Sequence, residues 1–220
     1  MKPQHTLGRA TTPDGRELIL HERDGAFAIR VGGLELMSSR AHGSEEALAR
    51  LVLEKISVPS PRILVGGLGM GYTLRAVLDL TPTAAQILVA EILPAVVEWN
   101  RTHLADLARR TLKDPRVKVE VRDVAAVMDD RPAFFDAILL DVDNGPAAFT
   151  TARNASLYGA AGLALIRRSL RQGGVLGVWS ADPDDPFARR LRTVGFQVEI
   201  ATVPARTGAK GPKHTIFIAR

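Results

Sequence analysis

The chain has 220 residues, of which 46% are hydrophobic, and this combination suits one domain with a full core and a small appendage. It contains no cysteine, which excludes disulfides, thiolate metal sites and cysteine nucleophiles. The formal net charge of +5 comes from basic residues spread among acidic ones, which favours a solvated surface and leaves a nucleic-acid partner as the less favoured alternative.

The sequence carries no signal for a membrane or for a metal. No apolar run follows the N-terminus, and no segment approaches the roughly 20 apolar residues that cross a bilayer. The five histidines are scattered without the spacing of a metal site. We therefore expect a cytoplasmic protein with a small-molecule substrate, no membrane partner and no bound metal.

The N-terminal part of the chain predicts a small β meander. Strand-like segments cover residues 17–22, 26–31 and 34–38, and Asp24-Gly25 is a strong hairpin signal. Ser44 is the expected N-cap of a helix that ends before Pro59. We place the domain boundary here, with a meander over residues 1–43 and a nucleoside-binding domain over residues 44–220.

From residue 62 onward, short apolar runs alternate with helical patterns. This alternation predicts a parallel sheet covered by helices on both faces. The predicted strands are residues 63–65, 87–90, 117–121, 137–140 and 175–178, and the predicted helices are residues 72–79, 94–110, 123–130, 157–171 and 184–194.

The C-terminal segment departs from this alternation. Residues 196–203 and 214–219 are strand-like, and the stretch between them has no helical pattern, so an antiparallel hairpin is expected. The predicted fold class is therefore α/β. It consists of a Rossmann-like seven-stranded, mostly parallel sheet with a reversed last strand, preceded by the small meander.

A glycine-rich turn follows the first predicted core strand and suggests a nucleoside site. Gly67, Gly69 and Gly71 would let the backbone approach a ligand closely, although a tight turn without a ligand is the alternative. Glu91 ends the next strand, and an acid about 20 residues after such a turn can accept hydrogen bonds from ribose hydroxyls. Its alternative role is to cap the following helix.

Two further acidic residues end predicted strands. Asp123, followed by Val124, lies where an adenine edge would bind, and it also suits the N-cap of the next helix. Asp141 ends the fourth core strand beside the expected ligand site, whereas Asp136 precedes that strand and is expected to be structural. NAD fits the glycine turn and Glu91 about equally well, but Asp123, Asp141 and the closing hairpin favour an adenosyl-methionine ligand.

These segments together resemble the spermidine synthase family of aminopropyltransferases, from about residue 18 onward. The resemblance implies a class I S-adenosylmethionine-dependent methyltransferase fold, a donor that is S-adenosylmethionine or its decarboxylated form, and a homodimer formed through the meander. Carried over by position, it implies catalytic roles for Asp141 and Asp143. It also implies cofactor contacts for these residues: Gly67, Gly69, Met70, Gly71, Glu91, Ile92, Asp123 and Val124.

The chain departs from the family pattern where amines would bind. Met70 stands where the family has an aspartate that holds the donor's amine, and a thioether cannot balance an ammonium. The loop after Asp141 looks shorter, with Asp143 as the candidate substitute for an acceptor-binding aspartate. Two tyrosines of the family pattern are replaced by Ser44 and Val203.

Three functions remain open at this point. The first is a spermidine synthase-like transferase that uses an unidentified small-molecule acceptor and differs from a standard putrescine aminopropyltransferase. The second is an S-adenosylmethionine-dependent methyltransferase, for which the loss of the aspartate at Met70 is the motive. The third is a non-catalytic nucleoside-binding module, because a fold alone does not establish activity.

Overall fold

The computed structural model describes residues 3–142, 146, 156–206 and 211–220. Within these residues the chain begins with an antiparallel sheet of four strands in sequential order. Its strands are β1 (His5–Thr11), β2 (Glu17–Arg23), β3 (Ala26–Val31) and β4 (Leu34–Ser38). We call this sheet the meander.

The second sheet has seven strands in the described part of the chain, in the order β10-β11-β9-β8-β5-β6-β7. All neighbouring pairs are parallel except those made by β11, which runs antiparallel to both β9 and β10. The predicted reversed last strand is therefore confirmed. The strands are β5 (Arg62–Gly66), β6 (Gln86–Glu91), β7 (Val117–Val121), β8 (Phe135–Leu140), β9 (Leu170–Ser180), β10 (Val198–Pro204) and β11 (Lys213–Ala219).

Helices connect the strands of the second sheet and cover it. They are α1 (Gly43–Leu53), α2 (Tyr72–Leu80), α3 (Pro94–Arg101), α4 (Val124–Asp129), α5 (Ala160–Ser169) and α6 (Asp185–Thr193). A short 3-10 turn covers Thr111–Lys113. No helix in the described ranges is long and apolar enough to cross a membrane.

Strand β1 and the start of α1 differ from the sequence prediction. The prediction omitted β1, whose residues are all exposed or half-buried and so show no apolar alternation. Helix α1 begins at Gly43 with His42 in the cap position, so Ser44 is not the N-cap. The Ser44 hydroxyl instead bonds with Glu45 and His214.

Two predicted helices are too long. The helix predicted over residues 94–110 ends at Arg101, after which the Leu104 N–H donates to Trp99 O, five residues back. The apolar spacing continues beyond Arg101 because Leu104 is fully buried, so the sequence pattern did not reveal the end of the helix. The helix predicted over residues 157–171 ends at Ser169, since Leu170 has an extended backbone and opens β9.

The apolar core lies on both faces of the seven-stranded sheet. Alternate residues of each central strand enter opposite clusters, as the period of two requires. On β5, Ile63 and Val65 face one cluster and Leu64 the other. The meander contributes Leu18 and Leu20 to the cluster that also holds α1 and α2, so meander and main sheet share one continuous core.

Asp136, which we expected to be structural, stabilises the main sheet at the edge opposite the carboxyl ends of its parallel strands. It is 6% exposed and accepts hydrogen bonds from the Arg62 N–H (2.8 Å) and from Arg171 Nη1 (3.2 Å). Asp136→Ala should lower the free energy of unfolding by about 1–3 kcal/mol, because it leaves a buried N–H without a partner. Urea unfolding measures this change.

Asp106→Ala is the matched control for that measurement. Its side chain is 83% exposed and, within the part of the chain that the structure describes, pairs only with Arg110 one turn away. We expect a change below about 0.5 kcal/mol for this variant. Equal unfolding midpoints for the two variants would contradict the structural role of Asp136.

Candidate functional site

The glycine-rich turn sits against the end of β8. Gly67 has a φ of +87°, and a Cβ added there would lie 2.2 Å from the carbonyl oxygen of Asp141, so only glycine fits. The Asp141 N–H donates to Gly66 O at 2.9 Å, and the Gly67 N–H donates to Ala90 O at 2.9 Å. The turn is therefore tied to the strand ends on both of its sides.

Glu91, at the end of β6, fixes the shape of this turn. Its side chain is 7% exposed, and its two carboxylate oxygens accept the N–H groups of Leu68 (2.9 Å) and Leu93 (2.8 Å). Each carboxylate oxygen has a second lone pair that can accept from a ligand hydroxyl. The residue can therefore shape the turn and still face a ribose.

Asp123 caps helix α4, as the sequence suggested. One of its oxygens, Oδ1, accepts the Ala125 N–H at 2.8 Å. Asp123 and Val124 both line the same cavity as the glycine turn. The capping contact uses one oxygen, which leaves the other able to meet an adenine amino group.

Asp141 follows β8 directly, at the point where the chain order reverses across the sheet. Its Oδ2 accepts the Thr73 hydroxyl from the first turn of α2 at 2.7 Å. Burial raises the pKa of Asp141 to about 6, against the smaller lowering effect of the Thr73 hydrogen bond. The carboxyl group is therefore desolvated without being neutralised at pH 7.

These residues open onto one cavity of about 730 Å³, which is in the range of small-molecule sites. The sequence analysis expected only the strand ends to form it, but the meander supplies much of the wall. Met37 reaches the glycine turn, since its Sδ lies 3.2 Å from a Cβ added at Gly69. The predicted site residues in the lining are Gly67, Gly69, Glu91, Ile92, Asp123, Val124 and Asp141.

Two predicted site residues, Met70 and Gly71, are described by the structure and are not part of that lining. Met70 is 3% exposed and its side chain belongs to the apolar core. Gly71 occupies the N-cap position of α2 with a φ of +83°. Asp143 lies outside the described residues. Ligand contacts stay predictions at these three positions, as they do at the residues that line the cavity.

Asn100 on α3 is a positioning residue that the sequence analysis missed. Its Nδ2 donates to Gly69 O (2.8 Å) and to Val96 O (2.9 Å), which ties the glycine turn to the helix. The side chain is 4% exposed. The sequence gives no signal for this contact, because only the fold brings residues 69 and 100 together.

Glu45 is a second residue that the sequence analysis missed, because an acidic residue in the first turn of a helix is common and indicates no functional site. Its Oε2 accepts the Ser44 hydroxyl at 2.6 Å. Burial raises the pKa of Glu45 to about 7, and the negative charge of Asp141 acts in the same direction. The start of α1 therefore brings a second desolvated carboxyl group into the electrostatic reach of Asp141.

Comparison with known proteins identifies the family. A model of the spermine/spermidine synthase domain matches residues 41–207. The chain therefore belongs to the spermine/spermidine synthase family, and the resemblance seen in the sequence is confirmed.

Individual relatives agree with that assignment. The chain is 33% identical over 160 residues to polyamine aminopropyltransferase 2 of Pseudomonas aeruginosa, an alignment that covers 67% of this chain and 43% of that protein. The chain thus spans less than half the length of the curated relatives it matches.

Two solved structures show the same fold. The spermidine synthase of Thermotoga maritima superposes with a TM-score of 0.78 at 18% identity, covering 97% of this chain and 72% of that one. A spermidine synthase in complex with the transition-state analogue AdoDATO superposes with a TM-score of 0.79 at 19% identity, covering 97% and 73%. The predicted fold class is therefore confirmed.

The raised pKa of Glu45 predicts a pH-dependent stability. The folded state holds this proton more tightly than the unfolded state, so the contribution is present at acidic pH and lost as the pH rises through about 7. Glu45→Gln should therefore stabilise the protein relative to the wild type by about 1–3 kcal/mol at pH 8, and by less at pH 5. Urea unfolding at both pH values measures the difference.

Glu54→Gln, at the other end of α1, is the control. Its carboxylate is 55% exposed and pairs with Arg50. This variant should follow the wild type within about 0.5 kcal/mol at both pH values. A Glu45→Gln variant that also follows the wild type would show that Glu45 is not desolvated.

Proposed function

We propose that the protein transfers an aminopropyl group from decarboxylated S-adenosylmethionine to an amine acceptor. The observation that carries this proposal is the position of Asp141, a desolvated carboxylate at the end of β8 that lines the same cavity as the glycine turn and Glu91. Membership of the spermine/spermidine synthase family and similarity to a polyamine aminopropyltransferase support the choice of reaction.

The donor's nucleoside fits the strand-end side of the cavity. Glu91 would accept from the ribose hydroxyls and Asp123 from the adenine amino group, with Ile92 and Val124 beside the base. Gly67 and Gly69 would let the sulfonium end approach the backbone. Met70 and Gly71 remain in the proposal as backbone positions of that turn.

We propose decarboxylated S-adenosylmethionine as the donor because the charges that line the cavity disfavour the carboxylate of S-adenosylmethionine. The reacting end of the cavity carries the negative charge of Asp141, which would repel the carboxylate of S-adenosylmethionine. The two arginines in the lining, Arg16 and Arg122, already pair with Asp14 and Asp130. Both features favour the decarboxylated donor.

The reaction is a nucleophilic substitution at carbon. The lone pair of the acceptor nitrogen attacks the donor methylene next to the sulfonium, a C–N bond forms, and the C–S bond breaks to release methylthioadenosine. The nitrogen loses one proton, which Asp141 accepts. A carboxylate with a pKa raised to about 6 suits this role, because proton transfer is most effective when the pKa lies near the working pH.

Methyl transfer is a second candidate because of Met70. Its side chain is buried in the core, so the glycine turn offers no carboxylate for the donor's amine, which aminopropyl donors carry at the end of the transferred group. For the same reason we propose that the acceptor or donor contacts differ from those of a standard putrescine enzyme. The homodimer and the boundary between residues 43 and 44 remain predictions.

The product nucleoside tests the proposed reaction. Purified protein is incubated with decarboxylated S-adenosylmethionine and 1,4-diaminobutane, spermidine or butylamine, and the nucleosides are separated by chromatography. We expect methylthioadenosine. S-adenosylhomocysteine formed from S-adenosylmethionine would establish methyl transfer instead, and no product with any donor would favour a non-catalytic module.

Asp141→Asn tests the role of the carboxylate. The asparagine can still accept from Thr73 but cannot take a proton, so kcat should fall about 10²–10⁴-fold. Asp106→Asn, at an exposed site outside the cavity, should keep the wild-type rate. Full turnover by Asp141→Asn would show that Asp141 is not the base.

A further inference from the structure

A second cavity, of about 470 Å³, opens on the other face of the meander, and we call it the outer cavity. Residues of β3 alternate between the two cavities, as the period of a strand requires. Ile29 and Val31 line the cavity of the candidate site, whereas Ala26, Ala28 and Arg30 line the outer cavity. The volume of the outer cavity lies in the range of small-molecule sites.

Two alanines of β3 leave the space for this cavity. The strand register places Ala26 opposite Arg23 of β2, and it places Ala28 between His21 of β2 and Ser38 of β4. Alanine has no side chain beyond its methyl group, so these two positions form a recess between longer polar side chains. All five residues line the outer cavity.

Two further arginines reach the cavity from outside the strands of the meander. The Gly43 N–H donates to Ala205 O at 2.9 Å, which joins the segment after β4 to the end of β10. Arg40 lies in the first of these segments, and Arg206 directly follows Ala205. Both arginines line the outer cavity. The fold therefore brings basic side chains from positions 23, 30, 40 and 206 to one recess.

Positive charge is in excess in this lining. It carries four arginines but only two acidic residues, Asp24 and Glu35. Arg30 Nη2 lies 3.8 Å from Glu35 Oε2, which is longer than a hydrogen bond. Arg30 Nε is buried and has no hydrogen-bond partner among the described residues. Arg30 therefore keeps hydrogen-bonding capacity that Glu35 does not use.

The other three arginines of the lining lack an acidic partner. Within the part of the chain that the structure describes, the guanidinium groups of Arg23, Arg40 and Arg206 form neither an ion pair nor a hydrogen bond. Cations that line one recess repel each other, and a bound anion relieves this repulsion. The cavity therefore favours a ligand with negative charge.

We propose that the outer cavity binds a small molecule through its phosphate group. Guanidinium groups donate paired hydrogen bonds to phosphate oxygens. A phosphate monoester carries close to two negative charges and three acceptor oxygens on one group, which matches the excess of arginines over acidic residues in the lining. The cavity has room for the rest of the ligand beside the phosphate. This site goes beyond the proposed function, because it lies on the other face of the meander.

Calorimetric titration of the purified protein tests the choice of ligand. The probes are ribose 5-phosphate, inorganic phosphate, ribose and malonate, none of which contains the adenine that the nucleoside cavity would take. We expect ribose 5-phosphate to bind at least about tenfold more tightly than inorganic phosphate or malonate, and ribose not to bind. No binding of ribose 5-phosphate, or equal affinity for malonate, would overturn the proposal.

Two variants locate the binding in the outer cavity. Arg206→Gln removes one exposed guanidinium, and Ala28→Leu fills the recess while keeping every charge. Each should weaken the binding of ribose 5-phosphate at least about tenfold, since each removes charge-assisted hydrogen bonds to the phosphate. Arg189→Gln removes an exposed arginine of α6 outside the cavity and is the matched control, which should bind as the wild type does.

The two variants also separate a built site from attraction to a basic surface. Wild-type affinity in Ala28→Leu would show that anions bind an open surface, and it would overturn the proposal. Thermal unfolding, followed by circular dichroism, checks that each variant is folded. If Ala28→Leu does not fold, Arg206→Gln decides alone: its affinity falls relative to Arg189→Gln if the proposal holds and equals it if the proposal is wrong.

Discussion

The close packing of the glycine turn against the end of β8 is the constraint on which the site depends. Because Gly67 lies against the Asp141 carbonyl, and the Asp141 N–H donates to Gly66 O, the turn and Asp141 cannot move independently. Thr73 adds a third link, from α2 to the Asp141 carboxylate. Glu91 and Asn100 hold the other side of the turn through hydrogen bonds to its backbone.

Negative charge is concentrated on one side of this fixed frame. Glu91 is satisfied by two backbone N–H groups and Asp123 by one, which lowers the cost of their burial. Asp141 accepts the Thr73 hydroxyl and Glu45 accepts the Ser44 hydroxyl, and burial raises the pKa of both carboxyl groups. Glu91 and Asp123 therefore suit the neutral, hydroxyl-rich nucleoside of the proposed donor.

The sequence predicted the main sheet and the strand-end residues because both follow from local patterns. Alternating apolar runs define buried strands, and parallel strands bring Glu91, Asp123 and Asp141 to the same edge. Contacts across long sequence separations were not predictable. Asn100 reaches the glycine turn only because α3 packs beside it, and Met37 enters the cavity only because the meander folds over it.

Calorimetric binding of adenosyl ligands tests the central claim most directly. Decarboxylated S-adenosylmethionine, S-adenosylmethionine, methylthioadenosine and NADH are each titrated into the purified protein. The account predicts that the decarboxylated donor and methylthioadenosine bind, and that S-adenosylmethionine binds more weakly because its carboxylate meets the charge of Asp141. Binding of NADH alone, or tighter binding of S-adenosylmethionine than of its decarboxylated form, would contradict it.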